Sequence, residues 1–140
     1  MPLPTAVVGE IARLLVSAEL LSRGYSVSKP EADVGYDVVS ISPAGSTWRL
    51  QIKARTGYPQ FSVRRRHGAS YAPDADAFVF VSMADAGTRY WVVPVASVGD
   101  SRKVSMTRGN PWLGAWHVLD KSPCPLTNAV ASLRSLPHAT

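Results

Sequence analysis

Within the segment from Tyr36 to Lys53, this 140-residue chain sets one acid, one carboxamide and one lysine at a spacing suited to phosphate chemistry. Asp37 opens an apolar run, Ser42 to Thr47 offers Pro, Gly and Ser for a turn, and a second run ends in Gln51-Ile52-Lys53. Alternation along that second run puts Gln51 and Lys53 on one face of a strand, and Leu50 and Ile52 on the other. A turn centred near Gly45 pairs Asp37 with Lys53 and Val39 with Gln51, and directly paired residues share a face of the sheet. Glu10, in the first helical segment, is the further acid that could join them. Asp37, Glu10 and the Gln51 side-chain oxygen are hard oxygen donors of the kind a divalent cation takes. Such an ion polarises a phosphodiester and lowers the pKa of a bound water. Lys53 could then hold the phosphate, offset charge developing on it, or orient the attacking water. Other constellations are missing: there is no GxxxxGK loop, and His67, His117 and His138 are scattered.

The elements that must position these residues can be read in order. Pro2 to Gly24 has helical periodicity, with Val7, Ile11, Leu14, Ala18 and Leu21 recurring and Val8 and Leu15 widening the stripe. Thr5 is the expected N-cap and Gly24 the stop. Glu10 falls at the border of that stripe, as a first-turn acid favoured by the helix dipole or as a carboxylate aimed at something bound there. Tyr25 to Ser28 reads as a first strand, followed by the hairpin, whose Trp48, Leu50 and Ile52 face packs on the helix. Phe61 and Val63 suggest a further strand, and Arg64 to Gly68 an exposed turn. Ala77 to Met83 is a continuous apolar run, expected of a strand buried on both faces. Tyr90 to Val95 is the next strand, with Pro94 at its end or edge. Ala96 to Asp100 reads as a short helical turn. Lys103 to Thr107 and Trp112 to Leu119 suggest two more strand-like pieces, and Thr127 to Leu136 a short helix. No linker or repeat divides the chain, so residues 1–140 are expected to form one domain.

Composition narrows the partners. The net charge is +5, and residues 38–73 carry six basic side chains and no acid, against −2 for residues 1–37 and +1 for residues 74–140. A local excess of this kind is a signature of polyanion binding. Tyr58, Phe61 and Tyr71 interleave with the cations, which suits a surface that meets phosphates and bases. The single Cys124 excludes an internal disulfide framework and a Cys-based zinc cluster, as expected in a reducing cytoplasm. The apolar stretch near the N-terminus is broken by Glu10, Arg13 and Glu19, so neither a signal peptide nor a membrane span is expected.

Taken together, Gly9-Glu10, Gly24-Tyr25, Tyr36-Asp37-Val38-Val39 and Gln51-Ile52-Lys53 resemble the PD-(D/E)XK nuclease superfamily, and within it the group I intron homing endonucleases. The similarity runs on through Phe61, Tyr71 and Asp76-Ala77-Phe78-Val79 to the Tyr90–Pro94 strand. It implies an α/β, restriction-endonuclease-like core, a mixed β-sheet flanked by helices. It also implies that Asp37 is a metal ligand, that Glu10 is the helix acid and that Lys53 is the motif lysine. Gln51 stands where most of the superfamily has Glu or Asp, a departure shared with the intron-endonuclease branch. The Pro-Asp element is not literal either, since Pro30 lies seven residues before Asp37.

The resulting expectation is a Mg²⁺- or Mn²⁺-dependent endonuclease. Its catalytic residues would be Glu10, Asp37, Gln51 and Lys53, with Asp37, Gln51 and Glu10 on the metal. Double-stranded DNA would meet Arg49, Arg55, Arg64, Arg65, Arg66, Tyr58 and Tyr71. A chain this short with one site would need a homodimer or homotetramer to cut both strands. The competing reading is an inactive module of the same fold that binds nucleic acid or mediates assembly. An RNA-directed nuclease and a purely protein-binding domain stand behind these two.

Overall fold

A computed structural model describes residues 3–32, 34–65, 68–84 and 86–123. Arg66, His67, Cys124 and the expected helix from Thr127 to Leu136 lie outside the described residues. Helix α1 (Thr5–Ser22) leads into strands β1 (Ser26–Ser28), β2 (Val38–Ile41), β3 (Thr47–Arg55), β4 (Gln60–Ser62), β5 (Ala77–Ala84), β6 (Gly87–Pro94) and β7 (Lys103–Ser105). Among the described residues, five strands form a mixed sheet in the order β1-β2-β3-β5-β6, and β4 pairs with β7 separately. The β3–β5 pair is parallel, while its neighbours β2–β3 and β5–β6 are antiparallel. Short 3₁₀ segments follow at Val95–Val98 and Trp116–Asp120.

The helix ends where its sequence says it should. Gly24 takes φ +88°, the Tyr25 N–H reaches back to the Leu20 carbonyl, and the Gly24 N–H bonds the Leu21 carbonyl. This left-handed turn satisfies carbonyls that would otherwise be orphaned. At the other end Thr5 is already helical. Pro4 occupies the cap position and no side chain bonds there, so the expected Thr5 cap is corrected.

The buried stripe is also corrected. Val8, Ala12, Val16 and Leu20 are the buried residues of α1, whereas Val7, Leu14 and Leu21 are 42%, 53% and 59% exposed. Two apolar stripes run along this helix, and the one carrying the small Ala12 faces the sheet. Its partners are Val38, Trp48 and Leu50 on the hairpin and Val79 and Val81 on β5. The predicted packing of the Trp48, Leu50 and Ile52 face on the helix is therefore found, with Ile52 at the margin of that core.

The other face of the sheet carries a second core. Phe78 and Phe80 of β5 stack at 5.2 Å, and Phe61, Val63, Trp91, Val93 and Tyr71 close around them. Strand β5 is thus buried on both faces, as its unbroken apolar run requires. Trp112 to Leu119 is not strand. The chain turns at Gly114 (φ +62°), and Trp116 to Asp120 form a 3₁₀ segment that buries Trp116 and Leu119 on the α1 side.

Candidate active site

The hairpin register decides where the chemistry sits. Val38 pairs with Leu50, Val39 with Arg49 and Ile41 with Thr47, so the turn is centred one residue earlier than Gly45. Val39 therefore faces Arg49 rather than Gln51, and the expected pairing of Asp37 with Lys53 is displaced by two residues. A shift of two preserves the face. Gln51 and Lys53 still point away from the helix, toward the side of Phe78 and Phe80, their cross-strand neighbours on β5.

Asp37 lies just before the first residue of β2, where the backbone pairing with β3 runs out. Its N–H bonds the Leu50 carbonyl at 2.8 Å, and its carboxylate accepts the Ile52 N–H at 2.7 Å. The side chain thus continues the bonding of β3 past the paired part of β2. One carboxylate oxygen is fixed by the main chain of the strand that carries Gln51 and Lys53.

Asp37, Gln51 and Glu10 line one cavity of about 520 Å³, together with Arg13, Lys29, Tyr36, Arg65 and Tyr71. The helix acid thus reaches the same cavity, although it does so from an exposed part of α1. Arg13 holds it there: its Nε and Nη2 donate to the two Glu10 oxygens at 3.0 and 2.5 Å. That hydrogen bond holds the Glu10 carboxyl below the usual carboxylate range, with the Arg13 and Lys29 charges acting in the same direction. Arg13 is raised in turn, chiefly by the Glu10 bond and further by the Glu10 and Asp37 charges. Arg13, Lys29 and Tyr36 were not singled out from sequence. Only the three-residue spacing of Glu10 and Arg13 on a helix could have signalled the first.

Lys53 reaches the cavity wall through Tyr71. Its Nζ donates to the Tyr71 hydroxyl at 2.9 Å and lies 4.7 Å from the ring centroid. The Arg65 guanidinium carbon lies 4.7 Å from the same centroid, and Arg65 pairs with the Asp74 carboxylate. The remaining expected contact residues are more dispersed. Arg49 is engaged by the Asp76 carboxylate through its own N–H, Nε and Nη2, and by the Pro73 carbonyl. Arg64 bonds the Gly99 and Ser101 carbonyls and faces Asp100 at 3.6 Å. Arg55 and Tyr58 are exposed outside the cavity.

As a donor set for a cation, the cavity offers three carboxylates, Asp37, Glu10 and Glu31, and the Gln51 amide oxygen, all hard ligands. Among the described residues no group of three His, Cys, Asp or Glu side chains gathers closely enough to hold a metal. The donor types nonetheless fit a divalent oxygen-seeking ion, with Glu10 available only when it leaves or shares Arg13.

The fold is shared with a solved nuclease structure. A bacterial homing endonuclease, I-Ssp6803I, superposes with a TM-score of 0.67 at 22% identity, covering 81% of this chain and 91% of that chain. Hjc, a Holliday junction resolvase from the archaeal hyperthermophile Archaeoglobus fulgidus, matches at TM-score 0.47 and 14% identity, over 69% of this chain and 83% of that one. No protein-family model matches the chain, and no curated protein matches it. The architecture is that of the restriction-endonuclease-like nuclease fold, as the resemblance in the sequence implied. Among the described residues, no helix is long and apolar enough to cross a membrane.

Proposed function

We propose that this protein is a metal-dependent DNA endonuclease that hydrolyses phosphodiester bonds at the cavity between α1 and the hairpin. The observation that carries the reading is the meeting of Asp37, Gln51 and Glu10 at one cavity, with Lys53 tied to its wall. The fold shared with a homing endonuclease supports it. Asp37 and Gln51 would hold Mg²⁺ or Mn²⁺, with Glu10 completing the set. The bound ion would supply polarisation of the phosphate and a more acidic water. Asp37 is fixed for this by the Ile52 N–H. The Lys53 ammonium would donate a hydrogen bond to a phosphate oxygen and offset charge that builds there. Arg13, once Glu10 turns to the ion, can neutralise a neighbouring phosphate.

Double-stranded DNA is the proposed substrate, since residues 38–73 carry only basic charge. Cutting both strands with this single site calls for two copies, so we propose a homodimer or homotetramer. Supercoiled plasmid should be converted to nicked and linear forms by the protein with Mg²⁺ or Mn²⁺, and left intact with chelator. Two observations favour a second reading, a DNA-binding module without cleavage: Gln51 brings no charge, and Arg13 already holds Glu10. A gel shift on plasmid that stays supercoiled in both metals would select it.

A further inference from the structure

We infer that Tyr71 is the positioning residue for Lys53, and that the Arg65–Asp74 pair holds its ring in place. The sheet beside Lys53 is aromatic on this face: Phe80 is its neighbour on β5, and Phe61 packs on Phe80 at 4.8 Å. An ammonium on such a surface has few oxygens to bond, and a four-carbon stem gives it many rotamers. The Tyr71 hydroxyl supplies the acceptor at 2.9 Å, and the ring adds cation–π attraction at 4.7 Å.

Tyr71 can do this because it is packed in place. It is 9% exposed, meets Phe78 edge-on at 5.5 Å, and its carbonyl accepts the Asp74 and Ala75 N–H groups. Arg65 lies over the same ring while its guanidinium pairs with Asp74. The close approach of this pair to the chain before Asp37 explains Gly35. A Cβ there would stand 2.2 Å from Arg65 Nη2 and 2.6 Å from the Asp74 Cβ, and φ is +88°. Gly35, Arg65, Asp74 and Tyr71 thus form one support leading from the Asp37 segment to Lys53. In this assignment Tyr71 and Arg65 serve the site from within and are not primarily DNA contacts. The catalytic consequence rests on the nuclease reading above; the hold on Lys53 does not.

The test is Tyr71→Phe, which keeps the ring and removes the acceptor, checked for an unchanged thermal midpoint. The first readout is the ¹⁵Nζ resonance of the Lys53 ammonium, assigned by its disappearance in Lys53→Ala. It should be visible in the unaltered protein, slowed in solvent exchange by its bond, and broadened away in Tyr71→Phe. The second readout is plasmid nicking. A reacting group misplaced by an ångström can cost on the order of 10²-fold, so kcat should fall by about tenfold or more with KM for DNA unchanged. A Lys53 signal that survives in Tyr71→Phe overturns the inference, whatever the rate does. A lost signal with an unchanged rate overturns the positioning role in catalysis. If the unaltered protein does not nick, the nuclease reading fails and the resonance alone decides whether Tyr71 holds Lys53.

Discussion

Strand β3 has two faces with opposite histories of solvent. On one, Trp48 and Leu50 meet Ala12, Val16 and Leu20 of α1 in an apolar contact. On the other, Arg49, Gln51 and Lys53 alternate along the same nine residues, and two of them have found partners at a distance in sequence, Asp76 and Tyr71. The first face stabilises the protein chiefly by burial, and the Trp48 indole N–H donates to the Lys121 carbonyl at 2.6 Å. The second places polar groups beside aromatic rings, and Arg49 and Lys53 meet a carboxylate and a hydroxyl there, since burying an unpartnered polar group is costly. The same strand therefore fixes the fold with its even-numbered residues and carries the proposed chemistry on its odd-numbered ones. A substitution on either face should show up in a different measurement.

The sharpest separation is expected from Asp37→Ala. As the proposed ligand, Asp37 would bring a full charge to a cation, and its loss should abolish both calorimetric Mn²⁺ binding and plasmid cleavage. The Ile52 N–H it leaves behind costs stability as well, by about 1–3 kcal/mol. Leu50→Ala is the counterpart on the helix side. It should lower stability by about 2–5 kcal/mol in a urea titration, while the folded fraction keeps its metal affinity.

How far this division is legible in the sequence depends on range. Period 2 along Trp48–Lys53 gave the faces correctly, because parity survives an error of two in register. The register itself was missed because the five-residue turn Ser42–Ser46 closes one residue earlier than Gly45, through the Ser42–Ser46 and Gly45–Ser42 bonds. The helix face was missed for a different reason. Two apolar stripes compete on α1, and only packing against Leu50 and Val79 selects the one with Ala12. Trp112 to Leu119 has the composition of a strand, yet Gly114 turns it. Arg49 and Tyr71 looked like surface contacts because Asp76 and Lys53, which engage them, lie 27 and 18 residues away.

Two smaller effects sharpen the contrast. Gln51→Glu replaces a dipole with a charge among hard donors, so Mn²⁺ binding should tighten by calorimetry, while turnover is free to move either way. On the α1 side, burial first and then the Asp120 carboxylate push the Tyr25 phenol up to about 12. A folded-state value raised above the unfolded value, near 10, means its contribution is complete below about pH 10 and is lost as pH climbs toward about 12. Urea midpoints should fall across that window, and Tyr25→Phe should flatten the fall. No such window should appear in Mn²⁺ affinity below pH 9.

On the proposed function, the odd-numbered face of β3 performs chemistry rather than merely binding. Nicking of supercoiled plasmid by Lys53→Ala, at a protein concentration where gel shifts show DNA bound as well as by the unaltered protein, tests it directly. Lys53→Ala should show intact Mn²⁺ binding, near-equal DNA binding and no nicking in Mg²⁺ or Mn²⁺, beside clear nicking by the unaltered protein. Equal nicking by both proteins, or none by either, would contradict that reading.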